Sequence, residues 1–99
     1  MTPEQKQHII DTSWELHEAV EKAYLEHQAK KGDASWPEKQ RLLLADMALH
    51  LLQTAMSPQA LSQDKLRNNL HAIMTISDQY LPSAQLAKAT ERLYLPNEQ

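Results

Sequence analysis

The chain has 99 residues, 41% of them hydrophobic and 23% charged, and a formal net charge of −3. This length fits one domain, and the acidic balance gives no overall attraction to phosphate backbones. The chain has no cysteine and one glycine, which excludes disulfides and thiolate metal ligands and leaves few of the turn residues that sheets need. We therefore expect one all-α domain over residues 1–99, with residues 97–99 frayed at its end.

The sequence carries no signal for secretion or membrane insertion. Its N-terminal residues lack the basic stretch followed by an apolar core that marks a signal peptide. Asp46 and His50 interrupt the longest apolar run, which is shorter than the roughly 20 residues that cross a bilayer. These features predict a cytoplasmic protein without a membrane partner.

Signals for the first helix begin at the N-terminus. Thr2 and Gln5 have the spacing of a capping box, and Pro3 occupies the first helical position. Gly32 can adopt the left-handed backbone conformation that ends many helices. The pattern predicts a helix from residue 3 to about residue 31.

The segment SWPE repeats the start signal at residues 35–38. Ser35 is the predicted N-cap, and Glu38 follows it by three residues. A second helix is expected over residues 36–56. Because the connection to the first helix is short, the two helices should form an antiparallel hairpin.

Two further helices are predicted in the C-terminal part of the chain. The third begins at residue 58, or at residue 63 if Ser62 is its N-cap, and it ends at residue 81 before Pro82. Ser83 is the predicted N-cap of a fourth helix over residues 83–95. The expected architecture is a small four-helix bundle built on the N-terminal hairpin.

The second helix is apolar around roughly three quarters of its circumference. A polar line formed by Lys39, Asp46, His50 and Gln53 interrupts this surface. One small bundle cannot cover so wide an apolar arc, so we expect part of it to be buried against another chain. A two-fold homodimer is the simplest arrangement, because one patch then covers its own copy.

These features favour a protein–protein interaction module, such as an adaptor, an inhibitor or a regulatory subunit. The sequence contains no nucleophile elbow and no phosphate-binding loop, so we predict neither an enzymatic activity nor a cofactor. Tryptophan is favoured at interfaces, and acidic side chains follow the solvent side of the first helix. The predicted contacts with a partner protein are Trp14, Glu18, Glu21, Leu43 and Leu49.

A metal site is one alternative interpretation. His17 and Glu21 are four residues apart on the first helix, as are Asp46 and His50 on the second. If the hairpin turns near residues 33–34, His17 comes level with His50 and Glu21 with Asp46, and the four side chains are ligand types that zinc uses. The His-Glu-x-x-His run of zinc proteases is missing, so no metal is predicted. Instead Asp46 and His50 should face water, and His17 should be hydrogen-bonded to Glu21 or Ser13.

Nucleic-acid binding is the other alternative. The turn before residue 62 and the polar helix positions after it have the arrangement of a helix-turn-helix. However, the turn lacks glycine, and Asp64 and Asp78 lie on or near the same side. DNA binding is therefore disfavoured. The side chains that would contact nucleic acid are Gln63, Arg67, Asn68 and His71.

Overall fold

The computed structural model describes residues 1–95. Three long helices run over Pro3–Glu26 (α1), Trp36–Met56 (α2) and Gln63–Asp78 (α3). They are followed by shorter helical segments, and no strand occurs in the described part of the chain. Each helix packs on the next one along the sequence. The predicted all-α fold with four helices is confirmed.

The start of α1 follows its capping box. The Thr2 hydroxyl accepts the backbone N–H of Gln5 at 3.1 Å, and the Thr2 N–H donates to the Gln5 side chain at 2.8 Å. The predicted end near residue 31 is wrong, because α1 ends at Glu26. Gly32 has a positive φ of 100°, as expected, but it lies in the turn beyond the helix.

Side-chain acceptors explain the early end of α1. The backbone N–H of Ala29 donates to His27 Nδ1 at 3.2 Å, and that of Lys30 donates to Asp33 Oδ2 at 2.8 Å. These amides would bond to carbonyls of the preceding turn if the helix continued. The competing acceptors instead hold residues 27–30 in irregular structure.

The middle helices agree more closely with their predicted bounds. α2 covers residues 36–56 as predicted, although Ser35 makes no side-chain capping bond. For α3 the later of the two predicted starts is confirmed, since Ser62 Oγ accepts the Lys65 N–H at 3.3 Å. α3 ends at Asp78 rather than residue 81, because the Gln79 N–H bonds to carbonyls in a tightened last turn.

The predicted continuous fourth helix is wrong in detail. The chain forms a 3₁₀ turn at Pro82–Ala84, a short helix at Leu86–Ala89 (α4) and a 3₁₀ segment at Thr90–Tyr94. Ser83 lies inside the first turn and caps nothing. Gln85 separates the pieces with a left-handed backbone, φ 51°.

A side chain of α3 fixes the position of α4. Asp78 Oδ1 accepts the backbone N–H of Ala87, in the first turn of α4, at 3.3 Å. A carboxylate at this end also interacts favourably with the helix dipole. The frayed end predicted for residues 97–99 lies outside the described residues.

α1 and α2 form the predicted antiparallel hairpin. The Lys39 ammonium lies 4.9 Å from the centre of the Tyr24 ring near the turn. Farther from the turn, the His17 and His50 rings pack edge to face with centres 4.6 Å apart. Tyr24 follows His17 in α1, whereas its partner Lys39 precedes His50 in α2, so the two helices run in opposite directions.

α2 and α3 are also antiparallel, and polar side chains join them. Asn69 Nδ2 donates to Thr54 Oγ1 at 2.6 Å. At the other end of the contact, the Tyr80 hydroxyl donates to the Pro37 carbonyl at 2.6 Å. Hydrogen bonds therefore fix the position of α3 at both ends of α2.

The molecule is flat and its apolar core is thin. Its dimensions are 44 × 39 × 17 Å, and its radius of gyration is 15.6 Å, against about 13 Å for a compact domain of this length. Ile76 and Ala29 are the fully buried apolar residues of the described chain. None of the described helices combines the length and apolar character needed to cross a bilayer.

Candidate functional site

The polar line of α2 faces α1. Asp46 is only 7% exposed, and the side chains of His50 and His17 are 38% and 12% exposed. The expectation that Asp46 and His50 face water is wrong for Asp46 and only partly right for His50. The reason is that α1 presents a polar side chain, His17, and α2 turns its polar line toward that partner.

His17, Asp46 and His50 bring their ligating atoms to one point, and we call them the His–Asp–His cluster. His17 Nε2 lies 3.0 Å from His50 Nε2 and 3.0 Å from Asp46 Oδ1. His50 Nε2 lies 3.8 Å from Asp46 Oδ2. One ligating atom from each residue lies within 4.8 Å of the others. Sequence spacing placed His17 opposite His50, but it did not place His17 beside Asp46.

Glu21 lies on the other side of the His17 ring. Its Oε2 is 3.5 Å from His17 Nδ1, and its side chain is 49% exposed. Ser13, the other predicted partner of His17, instead donates to the Ile10 carbonyl of its own helix at 2.7 Å. Of the four predicted metal candidates, three converge, and Glu21 is placed to orient one of them.

The hydrogen bonding inside the cluster is incomplete. Asp46 Oδ1 is buried and has no hydrogen-bond donor among residues 1–95, although His17 Nε2 is close to it. A neutral imidazole has one proton, which cannot point at both Asp46 and His50. A buried oxygen without a donor carries a desolvation cost of about 1–3 kcal/mol. The three side chains alone therefore leave one close contact unfavourable.

The cluster opens on one side into a groove. This groove, of about 810 Å³, lies between α1, α2 and the start of α3. His50, Trp14 and Gln53 line it, and the Gln53 amide nitrogen is buried without an acceptor in the described chain. Trp14 also packs its ring edge to face on His17, with ring centres 5.5 Å apart. A small molecule or water can reach His50 from this side.

The opposite side of α2 is apolar, and no residue of it is buried in the described part of the chain. The fully buried residues of α2 are all polar, namely Gln40, Asp46 and Thr54. The side of the helix away from them, which we call the outer face of α2, ends at its N-terminal side in an exposed Arg41–Glu38 ion pair of 3.1 Å. The outer face consists of three exposed alanines and four partly buried larger residues, namely Ala45, Ala48, Ala55, Leu44, Leu49, Leu52 and Met56.

The residues predicted to contact a partner protein fall on different surfaces. Trp14 is 53% exposed and sits at the groove, and Glu18 and Glu21 are exposed on α1. Leu49 belongs to the outer face of α2. Leu43 is partly buried on the same side of the helix as Asp46 and Thr54, so it takes part in packing within the chain.

The residues of the nucleic-acid alternative are engaged within the chain. Arg67 Nη1 binds Asp64 Oδ1 at 2.7 Å, and Arg67 Nη2 donates to the Gln63 side chain at 3.3 Å. Asn68 accepts the Tyr94 hydroxyl at 2.8 Å. The His71 ring packs on the same tyrosine, with ring centres 5.8 Å apart. The 3₁₀ segment Thr90–Tyr94 thus covers part of the surface that was predicted to contact nucleic acid.

Comparisons with protein-family models, with curated proteins and with solved structures found no significant match to this chain.

Proposed function

We propose that this chain is a protein–protein interaction module whose working form is a homodimer joined through the outer face of α2. The observation that carries the proposal is the inverted burial of α2. Its buried residues are polar, while its leucines and methionines are only partly buried and its alanines are exposed. A helix with an apolar face of this width is normally central to a fold.

The surface area of the chain supports the same proposal. The accessible surface is 7458 Å², whereas a compact monomer of 11.4 kDa has about 5,800 Å². The excess is about 1,700 Å² per chain. Obligate homodimers bury roughly 2,000–5,000 Å² in total, about half of it on each subunit. A second copy is therefore the occupant that fits the area.

A two-fold arrangement suits this surface because it needs no second kind of partner. In a two-fold dimer the same residues of both copies meet, so the leucines of one outer face lie against those of the other. The ion pair of Arg41 and Glu38 lies at one end of the face, where it would form part of a polar rim. The dimer would present the exposed acidic side of α1 twice, which suits an adaptor or regulatory subunit acting in the cytoplasm.

Sedimentation equilibrium of three proteins tests the proposal. The wild-type chain should have about twice the monomer mass of 11.4 kDa. Ala48→Glu should be monomeric, because Ala48 is exposed in the single chain but would bury an unpaired carboxylate in the dimer. The matched control is Ala19→Glu, which makes the same change at an exposed position of α1 and should leave the dimer intact.

Two results would contradict the proposal. One is a wild-type monomer at high micromolar concentration. The other is an Ala48→Glu variant that dimerises as well as Ala19→Glu does. Circular dichroism should give equal helix content for all three proteins, because both alanines are exposed and glutamate is a good helix former.

A further inference from the structure

We propose that the His–Asp–His cluster binds a divalent transition-metal ion through His17 Nε2, His50 Nε2 and the Asp46 carboxylate. The ion would lie between α1 and α2, with one coordination position open to the groove. This inference is independent of the proposed dimer, because the cluster lies on the opposite side of α2 from the outer face.

Distances between the three groups suit a metal ion. Zinc binds imidazole nitrogen and carboxylate oxygen at about 2.0–2.2 Å, so two ligands of a tetrahedral site lie about 3.3 Å apart. His17 Nε2 lies 3.0 Å from both His50 Nε2 and Asp46 Oδ1, and His50 Nε2 lies 3.8 Å from the other carboxylate oxygen, Asp46 Oδ2. With one ligand atom from each residue the three atoms lie within 4.8 Å of one another, so side-chain rotations at Asp46 and His50 would form the site.

A cation also resolves the incomplete hydrogen bonding. With Glu21 beside Nδ1 of His17, the ring proton is favoured on Nδ1, and Nε2 then carries a lone pair. Nε2 lies 3.0 Å from Asp46 Oδ1, and that oxygen has no hydrogen-bond donor among residues 1–95. A metal ion accepts electron pairs from both atoms and from His50 Nε2 at once.

The burial of the three groups argues for a built site rather than a chance surface cluster. Asp46 is 93% buried, since its exposed fraction is 7%, and its Oδ1 has no donor in the described residues. The site draws on two helices, and the hairpin fixes their relative position through contacts elsewhere, such as that of Lys39 with Tyr24. The ligands are thus held by structure that does not depend on the metal.

The ligand types define the class of metal. Two imidazoles and one carboxylate suit zinc, and with further open positions they also suit iron(II). Calcium and magnesium prefer sites built from oxygen alone. His50 lines the groove, so water or a small anionic ligand can complete the coordination from that side.

Binding of Zn²⁺, Co²⁺ and, without oxygen, Fe²⁺ to untagged, chelator-treated protein tests the proposal. One Zn²⁺ per chain should bind, and at about 100 times its dissociation constant it should raise Tm by roughly 10 °C. Co²⁺ should give the intense visible absorption of a four- or five-coordinate site. The relative affinities of Zn²⁺ and Fe²⁺ would identify the preferred metal.

Ligand and control variants locate the site. Glu21 orients His17 without binding the metal, so Glu21→Gln should weaken Zn²⁺ binding by roughly 10–100-fold. The loss should be larger in the ligand variants His50→Ala and Asp46→Asn. His8→Ala, at an exposed histidine of α1, should bind like the wild type. His50 is partly exposed, so its variant should fold, and circular dichroism checks this.

The proposal is overturned by either of two results. The first is no binding of any of the three ions at concentrations well above micromolar. The second is equal binding by the wild type and by His50→Ala and Asp46→Asn, which would place the ion elsewhere on the chain.

Discussion

The two sides of α2 are built in opposite ways. Toward α1 and α3 the helix presents polar groups, including Asp46, Gln40 and Thr54, and most of them are matched by polar partners. On its other side lie the exposed alanines and the partly buried leucines and methionine of the outer face. A soluble monomer places these two kinds of surface the other way round. The two proposals account for this difference by metal binding on the inner side and self-association on the outer side.

The largest difference in stability is expected for Leu52→Ala on the outer face, compared between the wild-type dimer and the Ala48→Glu monomer. Leu52→Ala should lower the free energy of unfolding by about 2–3 kcal/mol per chain in the dimer, where the side chain is buried. In the Ala48→Glu monomer the same change should cost less, because Leu52 is there only partly buried. Urea unfolding at one fixed chain concentration measures both values.

Equal costs in the two backgrounds would mean that Leu52 is packed by its own chain. The outer face would then belong to the core of the single chain, and no second copy would be needed to cover it.

On the side of α2 that faces α1, we expect a smaller change in stability, and one of opposite sign. Asp46→Asn should raise the free energy of unfolding of the metal-free chain by about 1 kcal/mol, because an amide can donate to His17 Nε2 where the carboxylate cannot. Denaturant unfolding in the presence of a chelator measures the change. The matched control is Asp11→Asn, at an exposed position where Oδ1 accepts the Gln7 amide at 2.9 Å, and it should change stability by less than about 0.5 kcal/mol.

Destabilisation of the metal-free chain by Asp46→Asn would contradict this account. It would show that the Asp46 carboxylate is satisfied by the two histidines as they stand, and that the cluster is a structural polar contact. Stabilisation without metal, together with loss of metal affinity, is the combination expected of a residue kept for binding.

Local signals in the sequence predicted much of the fold. The capping box of Thr2 and Gln5, the N-cap Ser62 and the bounds of α2 all depend on residues a few positions apart, and the structure agrees with them. The end of α1 depends on His27 Nδ1 competing for a backbone amide. That competition has no periodic pattern, so it could not be predicted from sequence spacing.

The orientation of α2 could not be predicted by the same means. Helical periodicity assigns a wide apolar arc to the core and a narrow polar line to solvent. Here the polar line meets His17 of α1, a polar residue, and the contact between the helices buries Asp46. The four-residue spacing of Asp46 and His50 indicated a shared face, but only the packed hairpin brings His17 next to both.

Isotope-filtered NMR on mixed dimers shows whether a second copy covers the outer face of α2. Carbon-13-labelled and unlabelled chains are combined, so that the cross-peaks selected arise between copies only. We expect intermolecular cross-peaks to the methyl groups of Leu49, Leu52 and Met56. Intermolecular cross-peaks confined to Leu16 and Leu25 of α1, or none at all at millimolar concentration, would contradict the proposed dimer.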